Sequence, residues 1–146
     1  MTLSLPEALE RAVLAERQGA EFYRMLADAA APQARGFLLQ MAAEEEEHAA
    51  LLEGLARRGQ SPEVDWRALL SFDPGEEVEQ VAEGDIDLAE AVGLALEAEK
   101  HAAWTYACAG AEAEEEVQAL FARLALTERR HAELLERMLA ELEGPG

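Results

Sequence analysis

Apolar residues recur along this chain at spacings of three and four in four separate blocks, and each block is interrupted by polar residues near its middle. Leu9, Val13, Ala20 and Tyr23 surround Glu16. Leu38, Met41, Leu52 and Leu55 surround the pair Glu45 and His48. Val92, Ala95, Ala102 and Tyr106 surround Glu99, and Phe121, Leu124, Leu135 and Met138 surround Glu128 and His131. That period belongs to amphipathic helices, so the pattern predicts four of them.

The ends of the blocks carry helix signals. Ser4 with Glu7 forms a capping box that opens helix 1, which runs to about Ala30. Pro32 breaks it and opens helix 2, which continues to Arg57-Arg58-Gly59, where basic residues and glycine suit a C-terminus. Asp87 with Glu90 is a second capping box, starting a helix 3 that reaches Ala109 or Gly110. Helix 4 spans about Glu114 to Leu142, with Glu112 and Glu114 to Glu116 suiting its N-terminus. Residues 60–85 contain Pro62, Pro74, Gly75 and Gly84 and read as a connection, with a short helical piece around Trp66 to Leu70.

A shift of 83 positions lays the first half on the second without a gap. Glu16 meets Glu99, Tyr23 meets Tyr106, Glu45 meets Glu128 and His48 meets His131. Around the histidines the match extends to Ala42/Ala125, Ala49/Ala132, Leu51/Leu134, Leu52/Leu135 and Glu53/Glu136. The chain is thus read as two related hairpins, residues 4–59 and 86–143, joined by a crossover over 60–85 within a single domain, 1–146. Helix 2 is roughly 35–40 Å long at 1.5 Å per residue. The connection can span that length, because extended chain covers up to about 3.3 Å per residue. Helix 3 can then run parallel to helix 2, the arrangement of an all-α, ferritin-like four-helix bundle with one long crossover. The alternative is a flexible linker between independent hairpins.

Composition agrees with an all-α chain. Ala, Leu, Glu and Arg dominate, and Ile86 is the lone isoleucine. A formal charge of −19 opposes binding to nucleic acid or to anionic lipid. Solvated Glu-rich helix faces account for the total, although such a field also raises the local concentration of cations. No apolar run approaches the ~18 residues of a membrane span, and the first residues lack a signal-peptide pattern. A cytoplasmic protein is expected. Cys108 is alone, which leaves no disulfide and no cysteine pair for zinc or iron; it reads as a small core residue.

The polar interruptions carry the chemistry. Glu16, Glu45, Glu99 and Glu128 can share one level in the bundle interior, with His48 and His131 beside them. Four buried carboxylates are costly unless something compensates; without a cation some would be protonated. Two divalent ions supply +4 against −4. Glu-x-x-His places both side chains on one helix face, so that the glutamate can bridge two metals while the histidine caps one. The donor set suits iron, with manganese as the alternative, rather than structural zinc. A lone Glu-x-x-His says little in so Glu-rich a chain. Two of the three histidines in equivalent positions, each facing a core glutamate on the preceding helix, say much more. The competing reading is a metal-free bundle with solvated glutamates.

Other residues carry less. Tyr23 and Tyr106 lie two turns from Glu16 and Glu99 on the same faces, placed either to reach carboxylates around the site or to serve as core aromatics. His101 points elsewhere, towards the surface. Trp66 and Trp104 are expected to cover core edges. The run Glu44 to Glu47 is a solvated face with Glu45 turned inward.

The segments Ala15-Glu16 through Phe22-Tyr23, Glu44-Glu45-Glu46-Glu47-His48-Ala49, Glu97-Ala98-Glu99-Lys100 and Thr127-Glu128-Arg129-Arg130-His131-Ala132 resemble the rubrerythrin family of the ferritin-like superfamily, over essentially the whole chain. The resemblance implies a di-iron site reacting with hydrogen peroxide or dioxygen, and a peroxidase fed by a rubredoxin-type centre. It also implies that Glu45 and Glu128 bridge, that Glu16, Glu99, His48 and His131 are terminal ligands, and that the protein is a homodimer. Two features depart from the family. There is no four-cysteine rubredoxin domain in this chain, so a separate electron-donor protein is expected. Ala102 stands where rubrerythrins carry a further glutamate, which leaves a more symmetric site, closer to ferroxidase centres. Three functions follow: a rubrerythrin-like peroxidase, a non-enzymatic iron-binding or ferroxidase-like protein of metal homeostasis, and a structural or regulatory module with a vestigial site.

Overall fold

A computed structural model describes residues 5–57, 87–110 and 115–144. They form α1 (Leu5–Ala29), α2 (Pro32–Arg57), α3 (Leu88–Gly110) and α4 (Glu115–Glu143), with no strand among the described residues. The four predicted helices are all present. Ser4, the 60–85 connection with its Trp66 to Leu70 piece, and the start of helix 4 at Glu114 lie outside the described residues.

Local chemistry sets the visible ends. Pro32 occupies the first position of α2, where its missing N–H costs nothing, and the Ala31 carbonyl accepts from the amides of Ala34 (2.9 Å) and Arg35 (3.2 Å). α1 has no basic residue in its last turn, but Arg35 reaches back from α2 and donates through Nε to the Ala27 carbonyl at 3.1 Å. Asp87 caps α3 through Oδ1, which accepts from the Glu90 amide at 2.8 Å. Gly144, at φ 81°, ends α4 with its amide 3.3 Å from the Glu141 carbonyl. An L side chain rarely adopts that conformation, and glycine is the usual solution after a helix.

α1 packs along α2, and α3 along α4; the two hairpins meet more sparsely, through α1 with α3 and through α2 with α4. Side-chain pairs give the directions. Arg17 meets Glu53 and Arg24 meets Glu46, so α2 runs against α1. Tyr23 meets Glu99 and Tyr106 meets Glu16, so α3 also runs against α1. α2 and α3 are therefore parallel, and the end of α2 lies at the opposite end of the bundle from the start of α3. The ferritin-like arrangement holds.

The apolar core is in two pieces. One packs Leu9, Val13, Leu52, Leu55, Phe121 and Leu124 at one end. The other packs Phe22, Leu26, Leu38, Met41, Val92 and Leu135 at the other. Each large side chain fully buried there contributes about 1.5–3 kcal/mol. Between the two pieces lies a buried polar layer, with apolar packing above and below.

Three expectations are corrected. Trp104 is 58 % exposed rather than covering a core edge. It lies five residues past Glu99, well over a third of a turn away from the inward face at 3.6 residues per turn, and stacks on His101 with ring centroids 6.1 Å apart. His101 is accordingly half-buried rather than open surface. Cys108 is only partly buried, because it sits on the same outward side of α3.

Candidate metal centre

All six candidate residues are brought together. Glu16, Glu45, His48, Glu99, Glu128 and His131 are each no more than 6 % exposed, although every one is polar or charged. α1 and α3 each supply one glutamate, while α2 and α4 each supply a glutamate and a histidine one turn apart. They form two overlapping groups. Glu16, Glu45, His48 and Glu128 make one, and Glu45, Glu99, Glu128 and His131 make the other, with the ligand atoms of each group within 4.8 Å of one another. Glu45 and Glu128 belong to both.

The 83-residue repeat is visible as an approximate twofold relation. His48 Nδ1 lies 2.8 Å from Glu128 and 3.6 Å from Glu16. His131 Nδ1 lies 2.9 Å from Glu45 and 3.7 Å from Glu99. Each histidine thus faces the glutamate of the opposite Glu-x-x-His helix and the glutamate of a neighbouring helix.

Both tyrosines reach the site, by a crossed route. Tyr23 on α1 donates to Glu99 on α3, and Tyr106 on α3 donates to Glu16 on α1. Along one helix, Glu16 and Tyr23 are separated by about 10 Å of rise, too far for a hydrogen bond. The antiparallel neighbour brings a carboxylate level with each hydroxyl. Recognising this from sequence required combining the repeat with helix direction.

The electrostatics of the bare protein are those of a crowded site. Burial pushes the Glu45 carboxyl well above its ordinary range, and the charges of Glu128, Glu16 and Glu99 push it further. Glu128 is raised in the same way, by burial and then by Glu99 and Glu16. Burial also acts to raise Glu16, but the neighbouring Glu45 and His48 side chains, the charge of His48 and the Tyr106 hydroxyl outweigh it and hold this carboxyl low. For His131, burial disfavours the charged form, yet Glu99 and Glu44 together raise its pKa. Burial and the adjacent carboxylates hold both phenols well above their ordinary range, so Tyr23 and Tyr106 remain neutral donors.

A fit to metal can be tested on the polar atoms themselves. One buried atom from each of the six residues has no hydrogen bond: Oε2 of Glu16 and Glu99, Oε1 of Glu45 and Glu128, and Nδ1 of both histidines. Buried polar groups are normally satisfied, so six orphans in one cluster mark a place built for something that accepts lone pairs. Oxygen and imidazole donors suit a divalent transition metal. The cluster can hold metal.

Beyond the six, Glu44 was read from sequence as solvated, but its carboxylate is held by Arg130 and lies 3.5 Å from Nε2 of His131. Glu46 pairs with Arg24 at 3.1 Å and Glu47 with Arg123 at 2.7 Å. The acidic run therefore ties α2 to both neighbours while Glu45 points inward. Such partners on other helices leave no local pattern to read.

A family model described as rubrerythrin matches residues 7–86 and 90–145, nearly the whole chain. The chain belongs to the rubrerythrin family. No curated protein and no solved structure matches it significantly. Membership of the rubrerythrin family accords with the four-helix bundle and with a buried carboxylate and histidine cluster able to bind metal. No described helix is long and apolar enough to cross a membrane.

Proposed function

We infer that this protein holds two metal ions, iron in the first instance and manganese as the alternative, and uses them in oxidation chemistry with hydrogen peroxide or dioxygen. The observation that supports this best is the set of six inward atoms without hydrogen bonds, divided into two overlapping groups. Glu45 and Glu128 would bridge the ions. Glu16 with His48, and Glu99 with His131, would each hold one. When bound, a reduced metal pair supplies electrons and Lewis acidity.

The protein's own part is to prepare the place. Tyr23 and Tyr106 hold the outer carboxylates in orientation and keep their protons. The apolar packing on either side excludes water and strengthens every charge interaction between. Family membership favours a rubrerythrin-like peroxidase. Its electrons would come from a separate donor protein. A homodimer in the cytoplasm completes the proposal.

A second reading is favoured by Ala102, which leaves α3 with Glu99 as its only carboxylate in the cluster. The resulting balanced site suits an iron-binding, ferroxidase-like protein. Anaerobic Fe(II) loading followed by a peroxide pulse separates the readings. Rapid oxidation with turnover when a reductant is supplied supports the peroxidase. Slow oxidation without turnover supports iron handling, and no Fe(II) binding would overturn both.

A further inference from the structure

The two halves of the cluster agree to within 0.1 Å in the contacts of each histidine with its paired carboxylates. Their outer surroundings differ. Behind His131, Nε2 faces the Glu44 carboxylate at 3.5 Å, and the Arg130 guanidinium holds that carboxylate in place. The position equivalent to Glu44 in the repeat is Thr127. Its hydroxyl donates to the Arg123 carbonyl at 3.1 Å, and among the described residues no carboxylate lies behind His48.

We propose that Glu44 makes the two metal positions inequivalent, so that the one built on Glu99 and His131 binds divalent metal more tightly than the one built on Glu16 and His48. This rests on the two-metal reading of the cluster. With Nδ1 turned inward, the proton of a neutral His131 ring sits on Nε2, directed at Glu44. A carboxylate accepting that proton's hydrogen bond fixes the tautomer and the ring orientation, and makes the inward nitrogen a stronger donor. Partners of this kind are worth about 10–100-fold in metal affinity. The Tyr23 ring meets the His131 ring edge-on, with centroids 6.1 Å apart, and limits its rotation further. A threonine whose hydroxyl is already engaged with its own helix offers His48 neither the charge nor the anchor.

The experiment is a calorimetric titration of the full-length, metal-free chain with Co(II), read alongside the visible absorption of the bound metal. The wild type is expected to fill in two steps separated by about 10–100-fold. Glu44→Thr, which makes α2 match α4, should bring the tight step down to the weak one. Thr127→Glu should raise the weak step. Arg130→Ala breaks the same link between α2 and α4 and frees the Glu44 carboxylate without removing it, so it should keep part of the separation and lose less than Glu44→Thr. Two equal steps in the wild type would overturn the inference. So would unchanged steps in Glu44→Thr, or equal losses in Glu44→Thr and Arg130→Ala, which would assign Glu44 a purely structural role. A wild type that takes up no Co(II) would instead overturn the two-metal reading on which the inference stands.

Discussion

Tyr23 donates its hydroxyl hydrogen to Oε1 of Glu99, two helices and 76 residues away in sequence, leaving Oε2 of the same carboxylate turned into the cluster without a hydrogen bond. Tyr106 does the same for Glu16. Each phenol therefore occupies one carboxylate oxygen and so determines which oxygen faces inward. Tyr23→Phe should leave Glu99 Oε1 buried and unpaired, at a cost of about 1–3 kcal/mol in stability of the metal-free protein. Looser orientation should also weaken metal binding by about 10–100-fold. Denaturant melts and a Co(II) titration of Tyr23→Phe and Tyr106→Phe check both effects. Binding at wild-type strength in both variants would mean that the tyrosines serve only the core.

The metal-free protein should lose stability as pH rises above the ordinary carboxylate range towards neutrality. Glu45 and Glu128 have folded-state pKa values raised well above the ordinary 4.5, so in that window the folded chain keeps protons that the unfolded chain has released. Unfolding then releases protons, and higher pH favours it. His131 acts with the same sign: its pKa is raised from 6.5, and its contribution is present below that value and lost as pH climbs through the folded one. Glu16 acts oppositely, because its pKa is lowered; its contribution is lost only at pH below the ordinary carboxylate range. Thermal melts of chelator-treated protein across the window test the sign. A melting temperature that rises throughout would contradict protonated Glu45 and Glu128 carboxyls.

Replacing Glu45 and Glu128 together by glutamine separates folding from metal binding. Both side chains are buried, and each raises the pKa of its neighbours or is raised by them. Glutamine is neutral without having to take up a proton, whereas the folded wild type must protonate these carboxyls at neutral pH, so the double variant should melt higher than the metal-free wild type there. It should also bind no Fe(II), since both overlapping groups lose their shared members. Glu45→Ala with Glu128→Ala should abolish binding as well, with lower stability from the space left behind. Metal uptake by either double variant would sink the assignment of these residues.

The parts of the molecule that repeat were the parts legible in sequence. Leu9, Val13, Glu16, Ala20 and Tyr23 were placed on one inward face of α1 by spacing alone, and all are buried. The equivalence of Glu45 with Glu128 followed from laying one half on the other, and their membership of both groups is seen in the structure. Trp104 was expected at a core edge, whereas its position on the helix sends it outward. Glu44 was passed over for a different reason. Its partners, Arg130 and His131, lie on α4, and nothing near residue 44 distinguishes it from Glu46 or Glu47 until α2 and α4 are set side by side.

Gly19 and Ala102 occupy equivalent positions in the repeat, and the difference between them is a single methyl group. A Cβ at position 19 would lie 3.5 Å from Oε2 of Glu45, an ordinary contact, on a helix whose interior otherwise gains from alanine. Gly19→Ala should therefore stabilise the protein by about 0.5–1 kcal/mol through the unfolded chain's lost freedom. Metal stoichiometry should be unchanged, because the other half already carries alanine there. Gly19→Leu is different. Its added branches extend past the Cβ towards the Glu45 carboxylate, which is needed by both groups, so metal affinity should fall even where the helix remains intact. Circular dichroism melts together with Co(II) titration distinguish the two variants. Equal metal binding in Gly19→Leu and wild type would show that Glu45 has room to move, and that the small residue at position 19 is not what keeps it in place.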